Sequence, residues 1–377
     1  KLTRQIINSG KVNYWTGSFG KNFEKLFCKI HSRKFSIAVS SGTTALEIAL
    51  RSLSLNKGDE VITTARSYYA SSICIINNDL KIKFCDIELS SHNLDPISVE
   101  KNITSKTKAI LIVHLAGVPC DMKSFLRIKK KYNLKLIEDC SQAHGAKFNN
   151  KIVGSFGDVS IWSFCNDKII STLGEGGMIT TNKIKYFKNI WSLKEIGKDY
   201  DKFQKLSKSK KDGFKWVHDR VGTNSRMTEI QACSGIVQIN ELNRLIKERN
   251  KRAEIYIKVL KKYKNLIIQT QKGNNLNAYY RLYFTITPKT PNKKIRDLII
   301  KDLKKSKVEA RVDACPAIYN EKYFRINFDC EKIIGGFNNT KIVGENSISL
   351  KVDNTITLKS VNNTAKILSK ILNKYLI

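Results

Sequence analysis

Lys168 stands in the segment VSIWSFCNDKIISTLGEGGMITTN, between an aromatic run and a turn built from Gly174, Glu175, Gly176 and Gly177. One lysine among 67 basic residues says nothing by its type. Its setting says more: glycines let a backbone come close to a ligand, and an apolar flank favours a neutral, nucleophilic amine. Asp139 closes the run LKLIED and is followed by Cys140, Ser141, Gln142, Ala143 and His144. A carboxylate at a strand's carboxyl end can hold a positive ring nitrogen or cap a following helix. Glu138, one residue earlier, should face the other way, because strand side chains alternate. In SSGTTAL, Gly42 and Thr43 lie where a strand gives way to a helix. Free N–H groups there suit an anion, although Ser and Gly at such a junction also serve as plain caps.

These residues need a scaffold. FSIAVS, DEVITTA, KIKFCD, KAILIVH and LKLIED read as short apolar strands, separated by helical patterns such as SGTTALEIALRSL and MKSFLRIKKKY. Continuous apolar strands alternating with helices predict an α/β fold, its mainly parallel sheet covered on both faces. VSIWSF and MITTN read as two further strands. From about Met227 helical spacing dominates, over a stretch long enough for more than one helix. The texture then changes: YYRLYFTITP and VEARVD read as strands, KKIRDLIIKDLKKS and the C-terminus as helices. The expected division is a large domain over residues 1–249 and a smaller α+β domain over residues 250–377.

Taken in order, SSGTTAL, IEDCSQAHGA, WSFCNDKIISTLGEGGMITTN and GTNSRMTEIQA resemble the DegT/DnrJ/EryC1/StrS family of sugar aminotransferases, and INSGKVNYWTG resembles its opening segment. The likeness is clear from about Ser9 to Asn240 and looser beyond. It implies the pyridoxal-phosphate (PLP) transferase fold type I, with a seven-stranded type of sheet. It also implies that Lys168 holds PLP as a Schiff base and that Asp139 pairs with the pyridinium nitrogen. Gln142 would lie over the ring. Gly42, Thr43 and Ser163 would bind the phosphate, and Asn224 would reach it from the neighbouring subunit of a homodimer with shared sites. The implied reaction passes an amino group from L-glutamate to a nucleotide-linked keto sugar for a surface polysaccharide or glycan, expected to be a 4-keto-6-deoxyhexose on UDP, dTDP or GDP, with C3 amination of a 3-keto sugar an alternative. Cyclitol-aminating and aminohydroxybenzoate-forming relatives remain alternatives, whereas dehydratase relatives carry histidine at the place of Lys168. Ala65, Cys140 and Leu173 depart from the common pattern, which puts loop shape in doubt rather than cofactor chemistry. RLYFTI and ARVDACPAIY are expected to shape the sugar pocket, with no contact assigned.

A chain of 377 residues with 41% hydrophobic residues has ample material for a large core. The 9 cysteines are scattered singly, as Cys85 in IKFCD and Cys233 in QACSGI, which suits reduced thiols in a cytoplasmic protein and no metal centre. KLTRQIINSG lacks the apolar stretch of a signal peptide, and no run approaches a membrane span. The net charge of +34 admits a nucleic-acid-binding or regulatory protein on the same scaffold, or a field that draws in a polyanionic substrate. The lysines are spread along the chain, with denser clusters at Lys129–Lys131 and Lys205–Trp216. No helix-turn-helix, zinc-finger or RNA-binding motif accompanies them, so neither nucleic acid nor membrane is expected as a partner.

Overall fold

A computed structural model describes residues 2–207, 216–287, 293–312, 314–327 and 333–376. Most of the basic stretch from Lys205 to Trp216 therefore lies outside the described residues. The large sheet contains β1 (Phe35–Val39), β2 (Glu60–Thr64), β3 (Lys81–Cys85), β4 (Thr107–Val113) and β5 (Lys135–Asp139). After β5 comes a small hairpin of β6 (Lys147–Phe148) and β7 (Lys151–Ile152). The sheet is completed by β8 (Val159–Ser163) and β9 (Gly177–Thr181). Its strand order is β1-β9-β8-β5-β4-β2-β3. β9 runs antiparallel to both neighbours, and the other pairings are parallel. The mainly parallel sheet expected from the sequence is thus present, with one reversed strand.

The apolar run of β4 shows why the sheet must be covered twice. Ala109, Leu111 and Val113 pack into the core cluster beneath the helix Gly42–Ser52. Ile110 and Ile112 pack into a second cluster with Met122, Phe125 and Ile128 of the helix Met122–Lys131. Alternation with period two feeds both cores from one strand. The lysines closing that second helix are exposed or half-buried, and Lys129 and Lys131 pair with Asp158 and Glu100. Cations suit the last turn of a helix, so this cluster is a solvated helix end.

The long helical stretch divides at Glu241 into Glu229–Asn240 and Leu242–Leu260. The first opens with a capping box of Thr228 and Gln231. Beyond it β10 (Leu266–Ile268), β11 (Leu282–Ile286), β12 (Ala310–Arg311) and β13 (Ser347–Leu350) form an antiparallel sheet in the order β10-β11-β13-β12. Helices Lys293–Lys305 and Leu358–Leu376 cover it, with Ile299, Leu303, Leu368 and Leu372 in its core. The boundary we place after residue 249 falls inside Leu242–Leu260, between Ile246 on the large core and Ala253 on the small one. Among the described residues no helix is long and apolar enough to cross a membrane.

Candidate active site

With β9 reversed on both sides, β1, β2, β4, β5 and β8 all point their carboxyl ends to one edge of the sheet. A cleft of about 490 Å³ opens there, the place where open α/β sheets bind ligands. The loops after these strands supply one wall, and Tyr280, Arg281, Tyr283, Arg311 and Cys315 supply the other. Of the predicted residues Gly42, Thr43, Asp139, Gln142, Ser163 and Lys168 all line it.

Gly42 opens the helix Gly42–Ser52, whose N-cap Ser41 accepts from the Thr44 N–H at 3.1 Å. The N–H groups of a helix's first turn have no partner within it, so Gly42 and Thr43 present donors at the cleft. SSGTTAL is therefore a cap that also faces the cleft. A Cβ on Gly42 would lie 2.5 Å from Ser163 Cβ, so only glycine lets the helix start press onto β8. That contact sets the Ser163 hydroxyl beside the same turn.

Asp139 is only 4% exposed. Ser71 Oγ donates to its Oδ2 at 3.1 Å, and the Ser141 N–H donates to its Oδ1 at 3.0 Å. No helix follows directly, so Asp139 closes a local turn rather than capping a helix. Glu138 does face the opposite way. Its carboxylate accepts from the N–H groups of Gly154, Phe156 and Gly157, from Ser160 Oγ, and from His114 Nε2 at 3.2 Å. Burial alone would raise its pKa, but His114, Arg33 and the Gly157 N–H outweigh that and hold it at about 2. His114, Glu138 and Cys140 come close enough together to suggest a metal. However, His114 Nδ1 already accepts from the Cys120 N–H at 3.0 Å, and Glu138 is saturated with donors, so the cluster works as a hydrogen-bond anchor. His144 is a core side chain against Trp162 and Phe164, and burial depresses its pKa.

Gln142 reaches across the end of the sheet, where its Oε1 accepts from the Ala116 N–H at 2.7 Å. The 164–176 loop is closed at its base by Phe164 N–H to Gly176 O and Asn166 N–H to Gly174 O, both 2.9 Å. Lys168 projects from this loop with its side chain 16% exposed, Nζ 3.4 Å from Asp167 Oδ1 and 4.9 Å from the centre of the Tyr280 ring. Leu173, which departs from the family pattern, sits in the left-handed region at φ 61° and is exposed.

Asn224 is not on this chain's cleft. It lies on the segment paired with Glu195, and its Oδ1 accepts from Arg226 Nη1 at 3.0 Å. Sequence reading missed Ser71, Asp167 and Tyr280, which line the cleft; RLYFTI and ARVDACPAIY, expected near the sugar pocket with no contact assigned, bring Arg281 and Arg311 to its wall. Arg281 and Arg311 share Glu309, at 3.3 and 3.0 Å. In a chain so rich in cations, nothing singled out either arginine within its segment.

An amine, a buried carboxylate and a helix start flanked by hydroxyls are the partners that an aldehyde, a pyridinium nitrogen and a phosphate require. The residues present therefore fit PLP.

Known proteins place this cleft in a lineage. A family model described as the DegT/DnrJ/EryC1/StrS aminotransferase family matches residues 1–369. GDP-perosamine synthase of Escherichia coli O157:H7 is 32% identical over 327 residues, covering 85% of each chain. The dTDP-3-amino-3,6-dideoxy-alpha-D-galactopyranose transaminase of Aneurinibacillus thermoaerophilus is 38% identical over 257 residues, 68% of this chain and 66% of that protein. The solved aminotransferase from Psychrobacter cryohalolentis superposes with a TM-score of 0.93 at 34% identity, covering 99% of this chain and 96% of that one. The chain therefore belongs to the DegT/DnrJ/EryC1/StrS aminotransferase family, whose aminotransferases depend on PLP.

Proposed function

We propose that the protein transfers an amino group from L-glutamate to a keto sugar carried on a nucleotide, using PLP held by Lys168. The gathering of Lys168, Asp139, Gln142, Ser163 and the Gly42–Thr43 turn in one cleft carries this reading. When bound, the cofactor supplies an electron sink that lets a proton leave the α-carbon of an amino acid. The chain's own groups do the rest. Lys168 Nζ would hold the cofactor, and as base and acid it would take the proton from the donor's α-carbon and return it. Asp139, oriented by Ser71 and Ser141, would face the ring nitrogen and keep it protonated. The Gly42 and Thr43 N–H groups and the Ser163 hydroxyl would hold the phosphate.

The nucleotide sugar is supported by what the relatives act on, one named for a GDP sugar and one for a dTDP sugar. Arg281 and Arg311 on the cleft wall suit the diphosphate of such a substrate. Asn224, away from its own chain's cleft, suits a homodimer in which each copy completes the other's phosphate site.

An absorbance spectrum of the purified protein tests the reading. Added PLP should turn the protein yellow, and L-glutamate should move that band into the near ultraviolet. Nucleotide keto sugars, tried as a panel, should then restore it. Folded protein that takes no colour overturns the role of Lys168. Colour that glutamate leaves unchanged overturns the donor.

A further inference from the structure

Asp167 directly precedes the lysine and lines the same cleft. Its Oδ1 lies 3.4 Å from Lys168 Nζ, and its Oδ2 accepts the hydroxyl proton of Tyr280. Tyr280 comes from the far wall, and Lys168 Nζ stands 4.9 Å over its ring. The tyrosine is itself fixed by its backbone. Its N–H donates to Ala116 O at 2.9 Å, and its carbonyl accepts from Arg249 Nη1 at 3.3 Å. Ala116 is the residue whose N–H holds Gln142. One chain of contacts thus joins Gln142, Ala116, Tyr280, Asp167 and Lys168. Partial burial would raise the Asp167 pKa, but the Tyr280 hydroxyl and Lys168 outweigh it and keep the carboxyl ionised. Burial and the adjoining carboxylate push the Tyr280 hydroxyl up, so it stays a donor.

We propose that Asp167 and Tyr280 form a bracket for the Lys168 amine, holding it in the cleft once the donor has displaced it from the cofactor aldehyde. A lysine freed in this way has four flexible carbons and no covalent tether at its tip. A carboxylate on one side and an aromatic face on the other both attract the positive charge the amine gains as it takes the α-proton, and together they define where it rests. No atom is transferred to either residue: the α-proton goes to Lys168 Nζ and leaves from it. Asp167 and Tyr280 are therefore positioning residues. The inference rests on the cofactor reading above and adds the groups that aim its lysine.

The test uses full-length protein loaded with PLP, with Asp167→Asn as the main variant and Tyr280→Phe as the second. Asp167 is half-exposed and the amide is isosteric, so folding should survive. Single-turnover bleaching by L-glutamate should slow by about tenfold or more, as misplaced reacting groups do. The half-saturating glutamate concentration should stay within about twofold, since binding common to ground and transition states is untouched. With glutamate deuterated at the α-carbon, the isotope effect should grow, because proton transfer becomes the slower step. A pH titration of the yellow colour, made without glutamate, should show its midpoint lowered by about one unit in Asp167→Asn, because a carboxylate beside the nitrogen favours its protonated form. The other ionisable groups on the cleft, Asp139, Glu175, Cys165, Cys315, Tyr68, Tyr280, Tyr283, Arg281 and Arg311, and His144 buried behind it, are unchanged in that variant. Tyr280→Phe should reproduce the slower bleaching and the larger isotope effect to a lesser degree. An unmoved midpoint or an unchanged isotope effect in Asp167→Asn overturns the bracket alone. Wild-type protein that takes no colour ends the cofactor reading, and the bracket with it.

Discussion

Among the residues of the cleft, Lys168 carries the sharpest prediction. Lys168→Ala should abolish both the yellow colour and the bleaching by glutamate, because no other amine was found at that end of the sheet among the lining residues. Near-normal turnover in that variant would remove the lysine from the mechanism. Glu138 makes a prediction of a different kind, about stability and pH. Its folded pKa of about 2 lies below the ordinary carboxylate value of 4.5. The stabilisation it provides is therefore complete above about pH 4.5 and is lost as pH falls toward about 2. The amount is on the order of 3 kcal/mol. Denaturant melts at pH 7 and pH 3 should show wild type losing stability that Glu138→Gln, weaker at pH 7, no longer has to lose. Parallel losses in the two proteins would show that the acid sensitivity arises elsewhere.

The elements make the site by coming close to one another. The start of the helix Gly42–Ser52 can touch β8 only because residue 42 lacks a Cβ. Gly42→Ala should weaken PLP binding by about tenfold or more and lower stability by about 1–3 kcal/mol, the usual cost of overpacking. A PLP titration and a thermal melt read both, and an unchanged affinity would argue against the phosphate turn. The loop between β8 and β9 stores strain at Leu173, whose left-handed φ of 61° is unfavourable for a residue with a Cβ. Leucine there is 64% exposed, so its removal forfeits little burial. Leu173→Gly should raise stability by about 0.5–1 kcal/mol, the relieved strain less the entropy cost of glycine in the unfolded chain. A lowered melting temperature would mean that the exposed leucine is covered by something in the assembled protein.

At the scale of the whole molecule, Asn224 gives a test of the proposed homodimer. If each copy lends Asn224 to its partner, Lys168→Ala and Asn224→Ala chains should each be weak alone. Refolded together they should regain activity, since a mixed dimer places both lesions in one site and none in the other. Mixtures no better than the Asn224→Ala chain alone would confine each site to one chain. The +34 charge belongs to this scale as well. Among the described residues, the lysine cluster closing the helix Met122–Lys131 is a solvated helix end, where Lys129 and Lys131 have acidic partners.

Chain order by itself determined the sheet and its main contents. Apolar runs such as KAILIVH must be buried on both faces, and alternation alone sends Glu138 and Asp139 to opposite sides. The same local chemistry marked Lys168, Asp139 and the Gly42 turn, because a glycine turn or a strand end announces itself within a few residues. What the order of residues did not disclose is contact across long separations. Tyr280 meets Asp167 from 113 positions away, and RLYFTI and ARVDACPAIY, expected near the sugar pocket, bring Arg281 and Arg311 to contacts that order alone did not assign. These side chains sit in ordinary strand or loop sequence with no periodic signal, and only the packing of one sheet's edge against the other's loops brings them to the lysine.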